Sequence, residues 1–249
     1  QLLPAPFSQG WTGNIRKLAA ARFWDGTAVV RVQDNYVAQW GDPDAEDKAK
    51  AQPLPAGLAV MTERDYVAAS MPTAATKGRS KPQRMKTQGR YQSDPYGGAV
   101  FKSGWPLGNG KDTLWPVHCY GMVGVGRDMS PNTGTGAELY TVIGHAPRHL
   151  DRNIALVGRV IEGMEHLSSL PRGTGALGFY ETPEERTGIV AVRLGGDVPD
   201  LPKYEYLSTD SASFARYADA RANRQDKFFI QPAGGADICN IPVPVRRVK

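Results

Sequence analysis

No apolar run in this chain exceeds a handful of residues before a turn-forming residue interrupts it, and Ile154 to Val157 is typical. Twenty-eight glycines and 19 prolines divide the 249 residues into short segments. A helix that crosses a membrane needs roughly 20 consecutive apolar residues, so membrane insertion is not expected. Short β-branched stretches bounded by Gly, Pro, Asn or Asp are the mark of strands. The expected fold is therefore mainly β with a few short helices.

The first helix is predicted where Trp11, Ile15 and Leu18 recur at helical spacing, followed by the helix formers Ala19, Ala20 and Ala21. Two alternating strands follow, Thr27 to Gln33 and Tyr36 to Trp40, joined by the turn dipeptide Asp34-Asn35. From Asp44 to Gly110 the periodicity dissolves into Pro, Gly, Lys, Ser and Gln, which predicts a long excursion holding at most one short helix or strand. Strands resume at Tyr120 to Gly126, Glu138 to Ile143 and Ile154 to Ile161, as members of one sheet. A short helix, Met164 to Leu170, leads to a strand Thr187 to Leu194. Asp197-Val198-Pro199 and Pro202 suggest a boundary. Beyond it, Phe214, Tyr217, Ala218 and Arg221 at i, i+3, i+4, i+7 spacing predict one helix behind Asp210 as N-cap.

The net charge of +5 is unevenly spread, because Lys77, Arg79, Lys81, Arg84, Lys86 and Arg90 follow one another with no acid between Asp65 and Asp94. A local positive field follows. It lacks the aromatic interleaving of a single-strand binder, so no nucleic-acid partner is expected, and we read the segment as a solvated loop. Cys119 and Cys239 lie far apart, without the paired spacing of a zinc or redox motif. One long-range disulfide between them would imply a periplasmic or secreted protein, and two buried thiols a cytoplasmic one.

Several chemistries are set aside. Gly121 to Gly126 lacks the G-x-G-x-x-G spacing and a following helix. His145 and His149 are separated by Pro147, which breaks the helix that would bring both rings to one metal. There is no G-x-S-x-G elbow. His118, in an apolar strand, reads as a hydrogen-bonded core histidine rather than a base.

One segment carries a specific signal. Val30 to Pro43, V-R-V-Q-D-N-Y-V-A-Q-W-G-D-P, resembles without gaps the cyclophilin signature F-H-R-I-I-P-G-F-M-x-Q-G-G-D. Arg31 falls on the catalytic arginine, Tyr36 and Val37 on the pocket phenylalanine and methionine, and Gln39 on the glutamine. Trp24-Asp25-Gly26 and the N-x-R-x-L pattern of Asn14, Arg16 and Leu18 precede it as in that family. A second stretch, Gly124 to Asp151, is similar to the family's downstream motif. There Pro131-Asn132-Thr133 match directly, Glu138-Leu139-Tyr140 fall on Q-F-F, and Leu150-Asp151 and Gly158-Arg159-Val160 complete the order. The likeness covers about residues 11 to 43 and 119 to 196.

The resemblance implies a bacterial, divergent cyclophilin-type peptidyl-prolyl cis/trans isomerase, a closed antiparallel β-barrel with flanking helices. It implies a domain over 1–197 with a region inserted at about 44–112, and a C-terminal extension, 198–249, packing on the barrel. The family's first two strands should precede the first helix, where only about ten residues stand, so an N-terminal stretch is expected to lie outside this chain. The implied catalytic residues are Arg31 and Gln39. The implied substrate contacts are Tyr36, Val37, Arg127, Asp128, Glu138, Tyr140, His149, Leu150 and Ile154.

Departures accompany the matches: Glu138 stands for Gln, Arg127-Asp128 for Ala-Asn, Ile154 for a pocket His and His149 for a Trp whose loss implies weak cyclosporin binding. No cofactor and no metal are implied. The partners would be proline-containing peptides or client proteins, bound by a monomer. The competing reading is a catalytically weak peptide-binding chaperone or scaffold module with the same groove.

Overall fold

The computed structural model describes residues 1–69 and 96–248; the basic cluster from Lys77 to Arg90 lies outside them. The strands, in chain order, are β1 (Ala28–Val32), β2 (Val37–Gly41), β3 (Ala68–Ala69), β4 (Gly98–Lys102), β5 (Trp105–Asn109), β6 (Thr113–Pro116), β7 (Met122–Val125), β8 (Leu139–Val142), β9 (Leu156–Arg159), β10 (Thr187–Gly188), β11 (Tyr204–Tyr206) and β12 (Val245–Arg247). The helices are α1 (Gln9–Ala20), α2 (Met164–Ser168) and α3 (Ala212–Ala222). Two compact units result: Gln1–Val67 with His118–Leu201, and Ala68–Val117 with Pro202–Lys249.

The first unit is built on an antiparallel six-stranded sheet in the order β10-β1-β2-β8-β7-β9. Leu2 adds an antiparallel bridge to Gly158 beside β9. The three strands expected in one sheet are thus β7, β8 and β9. The helical spacing at the start is also realised, because α1 buries Trp11, Ile15, Leu18 and Ala19 together with Trp24, Val125, Leu139 and Val157. Each Ile, Leu or Val side chain among them, removed from water, stabilises the fold by about 1.5–3 kcal/mol.

The polar groups of this helix region do a second task. Trp11 Nε1 donates to the carbonyls of Thr133 and Gly134 at 3.1 and 3.0 Å, and Trp24 Nε1 to that of Ala137 at 2.7 Å. Asn14 Nδ2 donates to Thr135 O at 2.9 Å. Four bonds thereby fix the loop that delivers Glu138 and Tyr140 to β8.

The strand expected over Thr187 to Leu194 is laddered only at Thr187–Gly188. Ile189, Val192 and Leu194 still pack on the core. The expected strand is therefore cut short: among the described residues no strand pairs with the backbone beyond Ile189, whose N–H donates to Thr27 O at 2.7 Å.

In the second unit, β3-β6-β5-β4 form one sheet and β11-β12 a separate pair. The expectation of at most one short helix or strand between Asp44 and Gly110 is corrected here. The described part of that stretch holds a 3-10 turn at Glu63–Tyr66 in the first unit and β3, β4 and β5 in the second. Pro106 and Gly108 make β5 read as a loop. Pro106 lies outside the stretch of β5 that pairs with β6, and the space over Gly108 is filled by the Trp115 ring. Partners distant in sequence also supply the packing: Phe214 on α3 meets Phe101 edge-to-face at 4.9 Å. The cap of α3 is Ser211, whose hydroxyl accepts from Phe214 N at 3.0 Å, rather than Asp210.

One glycine of the first unit is dictated by a close approach. A Cβ on Gly124 would lie 2.2 Å from Cζ of Tyr140, so any side chain there must displace that ring. Gly124→Ala is expected to destabilise the protein by about 1–3 kcal/mol, the usual cost of overpacking. Urea unfolding checks this, and an unchanged midpoint would refute it.

Candidate active site

The tight turn expected at Asp34-Asn35 forms, with Asn35 at φ 52° and Gln33 N donating to Val37 O at 2.9 Å. It sets β1 against β2. Their register runs Ala28↔Gly41 and Val29↔Trp40, then shifts so that Arg31 faces Gln39. The shift is a bulge that inserts Val30, and without it Arg31 would stand opposite Ala38. Bulges re-aim side chains in this way near functional sites.

Arg31 is held on three sides. Its Nη1 donates to Gln39 Oε1 at 3.0 Å, its Nη2 to Gln33 Oε1, and its Nε to the Leu177 carbonyl at 2.7 Å. Leu177 presents that carbonyl from a left-handed backbone, φ 56° and ψ 17°, a conformation costing a non-glycine residue about 1–2 kcal/mol. The guanidinium carries five N–H groups, so one on each terminal nitrogen is left for a ligand. Its Cζ lies 5.7 Å from the Tyr36 ring centroid and 5.2 Å from that of Phe179, within cation–π range. Burial pulls its pKa down, opposed by Tyr36 and Glu138, and a guanidinium stays protonated at any physiological pH.

Gln39 is fixed at both ends of its amide. The oxygen accepts from Arg31, and Nε2 donates to Glu138 Oε1. Glu138, in the family's glutamine position, is thereby an orienting acceptor for Gln39. Burial raises its pKa, and the bond from Gln39 only partly offsets this; Glu46 and Asp128 push the same way as burial and Arg31 pushes against it.

The apolar side of the site is a cluster of Val37, Tyr140 and Val142 with Tyr36 and Ile154 packed against it. His149, exposed, lies parallel to the Tyr36 ring at 6.4 Å. Leu150 is half-buried in the turn that leads to Ile154, whose N–H donates to Leu150 O at 3.2 Å. Arg127 binds the Asn153 carbonyl through Nε and Nη2 at 3.0 and 2.9 Å, and the Asp128 carbonyl through Nη1 at 2.6 Å, which ties the β7 exit to that turn. Arg31, Tyr36, Gln39 and Glu138 are thus linked by direct contacts, and Val37, Tyr140 and Ile154 share one cluster with Tyr36. Arg127 and Asp128 are linked instead to the neighbouring turn.

Residues that the sequence reading missed complete the clamp. Gln33 lies two positions from Arg31, just past the end of β1, a spacing that places both on one face of an extended chain and could have flagged it. Leu177 and Phe179 gave no signal, because a glycine-rich turn says nothing of which carbonyl it presents. His118 is the satisfied core histidine it was read to be, fully buried between Asp151 and Tyr140. Neither cysteine is free, and both Cys119 and Cys239 are disulfide-bonded.

The family model for cyclophilin type peptidyl-prolyl cis-trans isomerases matches residues 11–193. The chain belongs to that family, and its class of activity is peptidyl-prolyl cis-trans isomerisation. Among solved structures, cyclophilin AquaCyp293 from Hirschia baltica aligns with a TM-score of 0.68 at 21% identity, over 99% of this chain and 85% of that one. That likeness is one of fold. A cyclophilin type isomerase from Cryptosporidium parvum, crystallised in the presence of the dipeptide Ala-Pro, aligns at a TM-score of 0.35 and 14% identity, over 65% of this chain and 73% of that one. No curated protein matches the sequence.

The electrostatics of Glu138 give a prediction. A carboxyl whose folded pKa is raised above its unfolded value lowers stability at pH above both, and the penalty vanishes as pH falls below both. Glu138→Gln keeps an oxygen for Gln39 and removes the charge. It is expected to unfold at a higher denaturant concentration than wild type at pH 7, with the difference closing toward pH 4. A variant less stable than wild type at pH 7 would contradict this.

Proposed function

We propose that this isomerase accelerates rotation about X-Pro bonds in proline-containing peptides and client proteins by holding the proline ring on the Tyr36, Val37, Tyr140 and Ile154 surface beneath Arg31. Rotation about the imide faces a barrier of about 18–20 kcal/mol, because resonance keeps C–N planar. As the bond twists, resonance is lost and the proline nitrogen becomes a better hydrogen-bond acceptor. A fixed N–H donor near it stabilises the twisted state more than either planar one, which is the condition for catalysis. No bond is made or broken, so the protein needs only a binding surface and an oriented cation.

The observation that carries this reading is the clamp on Arg31. Three bonds hold the guanidinium and leave an N–H on each terminal nitrogen. A donor fixed before the substrate arrives loses little further freedom in the reaction. Lysine could not substitute, since its ammonium is a mobile point charge without the planar fork. Gln39 acts with Arg31 by accepting from it, and Glu138 holds Gln39 in the amide orientation that allows this. Leu150, His149, Arg127 and Asp128 would border the groove, where peptide residues flanking the proline pass.

We read the six-stranded sheet, extended by the bridge from Leu2, as part of a closed barrel. Residues 1–197 would form the cyclophilin-like domain, with the region 44–112 as its insertion and 198–249 as an extension. The disulfide-bonded state of Cys119 and Cys239 supports an oxidising compartment, periplasmic or extracellular. Intact mass should therefore rise by two hydrogens when the purified protein is reduced under denaturing conditions; an unchanged mass would remove that support.

Isomerisation of a prolyl peptide should be accelerated by wild type, with kcat/KM falling about 10²–10³-fold in Arg31→Ala, the usual loss for one preorganised donor. Arg31→Lys should fall with it. Equal rates for wild type and Arg31→Ala would overturn the mechanism and leave a peptide-binding module.

A further inference from the structure

Linked to Tyr140 of the candidate proline surface are three buried polar side chains that the isomerisation chemistry does not use. Arg148, Asp151, His118 and Tyr140 are 4%, 2%, 0% and 4% exposed. Arg148 Nε donates to Asp151 Oδ2 at 2.6 Å. Asp151 Oδ1 accepts the His118 backbone N–H at 2.9 Å and lies 2.9 Å from His118 Nδ1. His118 Nε2 lies 2.8 Å from the Tyr140 hydroxyl, and the two rings are near parallel at 6.2 Å.

The direction of each bond follows from its partners. Burial works against ionisation of Asp151, but the hydrogen bond from His118 and the charge of Arg148 outweigh it and hold the carboxyl below its ordinary range. A carboxylate can only accept, so His118 Nδ1 carries a proton. Burial keeps the imidazole neutral against the pull of Asp151, so Nε2 is an acceptor and the Tyr140 hydroxyl must donate to it. A catalytic His-Asp dyad is excluded by the same facts, because His118 is inaccessible and both ring nitrogens are engaged.

Anchoring the hydroxyl fixes the far end of the phenol's long axis, and the His118 ring lying near parallel to it limits how the Tyr140 ring can turn about that axis. Tyr140 then meets Val37 and Ile154 in one orientation, and a surface held in its bound shape does not lose ordering entropy when the proline ring lands on it.

We propose that His118, oriented by Asp151 and Arg148, is a positioning residue that locks Tyr140 as the floor of the proline pocket. This rests on the reading of Tyr140 as part of that pocket. On this reading the ring of a bound proline is held in place while the rest of the peptide rotates, so its contacts would be alike in the planar and twisted states. Loss of the lock should therefore appear in binding and not in turnover.

The test compares wild type and Tyr140→Phe on one alanyl-prolyl peptide, by isomerisation kinetics and by titration of peptide affinity. In parallel, nitrogen-15 NMR of the peptide-free wild type locates the His118 proton. We expect Tyr140→Phe to raise KM and the peptide Kd about five- to tenfold with kcat within about twofold, as loss of uniform binding would. The proton should sit on Nδ1, with Nε2 accepting. A role in stability alone would lower the active fraction and hence kcat, leaving Kd of the folded protein unchanged. An unchanged Kd in Tyr140→Phe, or a proton on Nε2 in wild type, would overturn the proposal. If wild type binds the peptide and Tyr140→Phe binds it more weakly, but neither accelerates isomerisation, the catalytic reading fails and the positioning role stands. Should Tyr140→Phe not fold, the His118 proton position decides alone.

Discussion

Everything in the site depends on a hydrogen-bonded chain that runs from Arg31 on β1 through Gln39 on β2 to Glu138, the residue just before β8. Each link fixes the next. Glu138 can only accept while ionised, so it takes the amide N–H of Gln39; that leaves the Gln39 oxygen for Arg31. The neutral glutamine expected from the family would impose no such direction, since an amide both donates and accepts. The charge at position 138 therefore sets the orientation of the clamp even though burial works against it.

Core packing and site geometry are coupled through few residues. Trp11, Asn14 and Trp24 bury apolar surface in or near α1 and at the same time bond the carbonyls of residues 133–137. The loop they hold ends at Glu138. Gly124 serves the opposite side, because only the absence of a side chain lets the Tyr140 ring lie over β7. The bulge at Val30 then sets Arg31 opposite Gln39, with its guanidinium 5.7 Å from the Tyr36 ring centroid.

Sequence reasoning reached the parts of this arrangement that are local. The register of Arg31, Tyr36 and Gln39 is carried by nine consecutive positions and a two-residue turn, and alternation alone fixes much of it. Tyr140 and Glu138 followed from a second motif in the same order. The partners that come from afar were invisible: Leu177 contributes a backbone carbonyl, and a carbonyl has no signature in residue type. The strand β5 was hidden because Pro106 and Gly108 depress strand propensity, and β4 because part of its packing comes from far along the chain, where Phe214 meets Phe101. The cap of α3 shows the smaller version of the same limit, since Asp210 and Ser211 are equally good caps and only the backbone decides between them.

The most direct test of the central claim is a crystal structure of wild type with a prolyl peptide bound. The account predicts the proline ring against Tyr36, Val37 and Tyr140, with its nitrogen within hydrogen-bond reach of an Arg31 terminal N–H not taken by Gln39 or Gln33. A proline ring seated elsewhere, or an Arg31 guanidinium directed away from the imide, would contradict it.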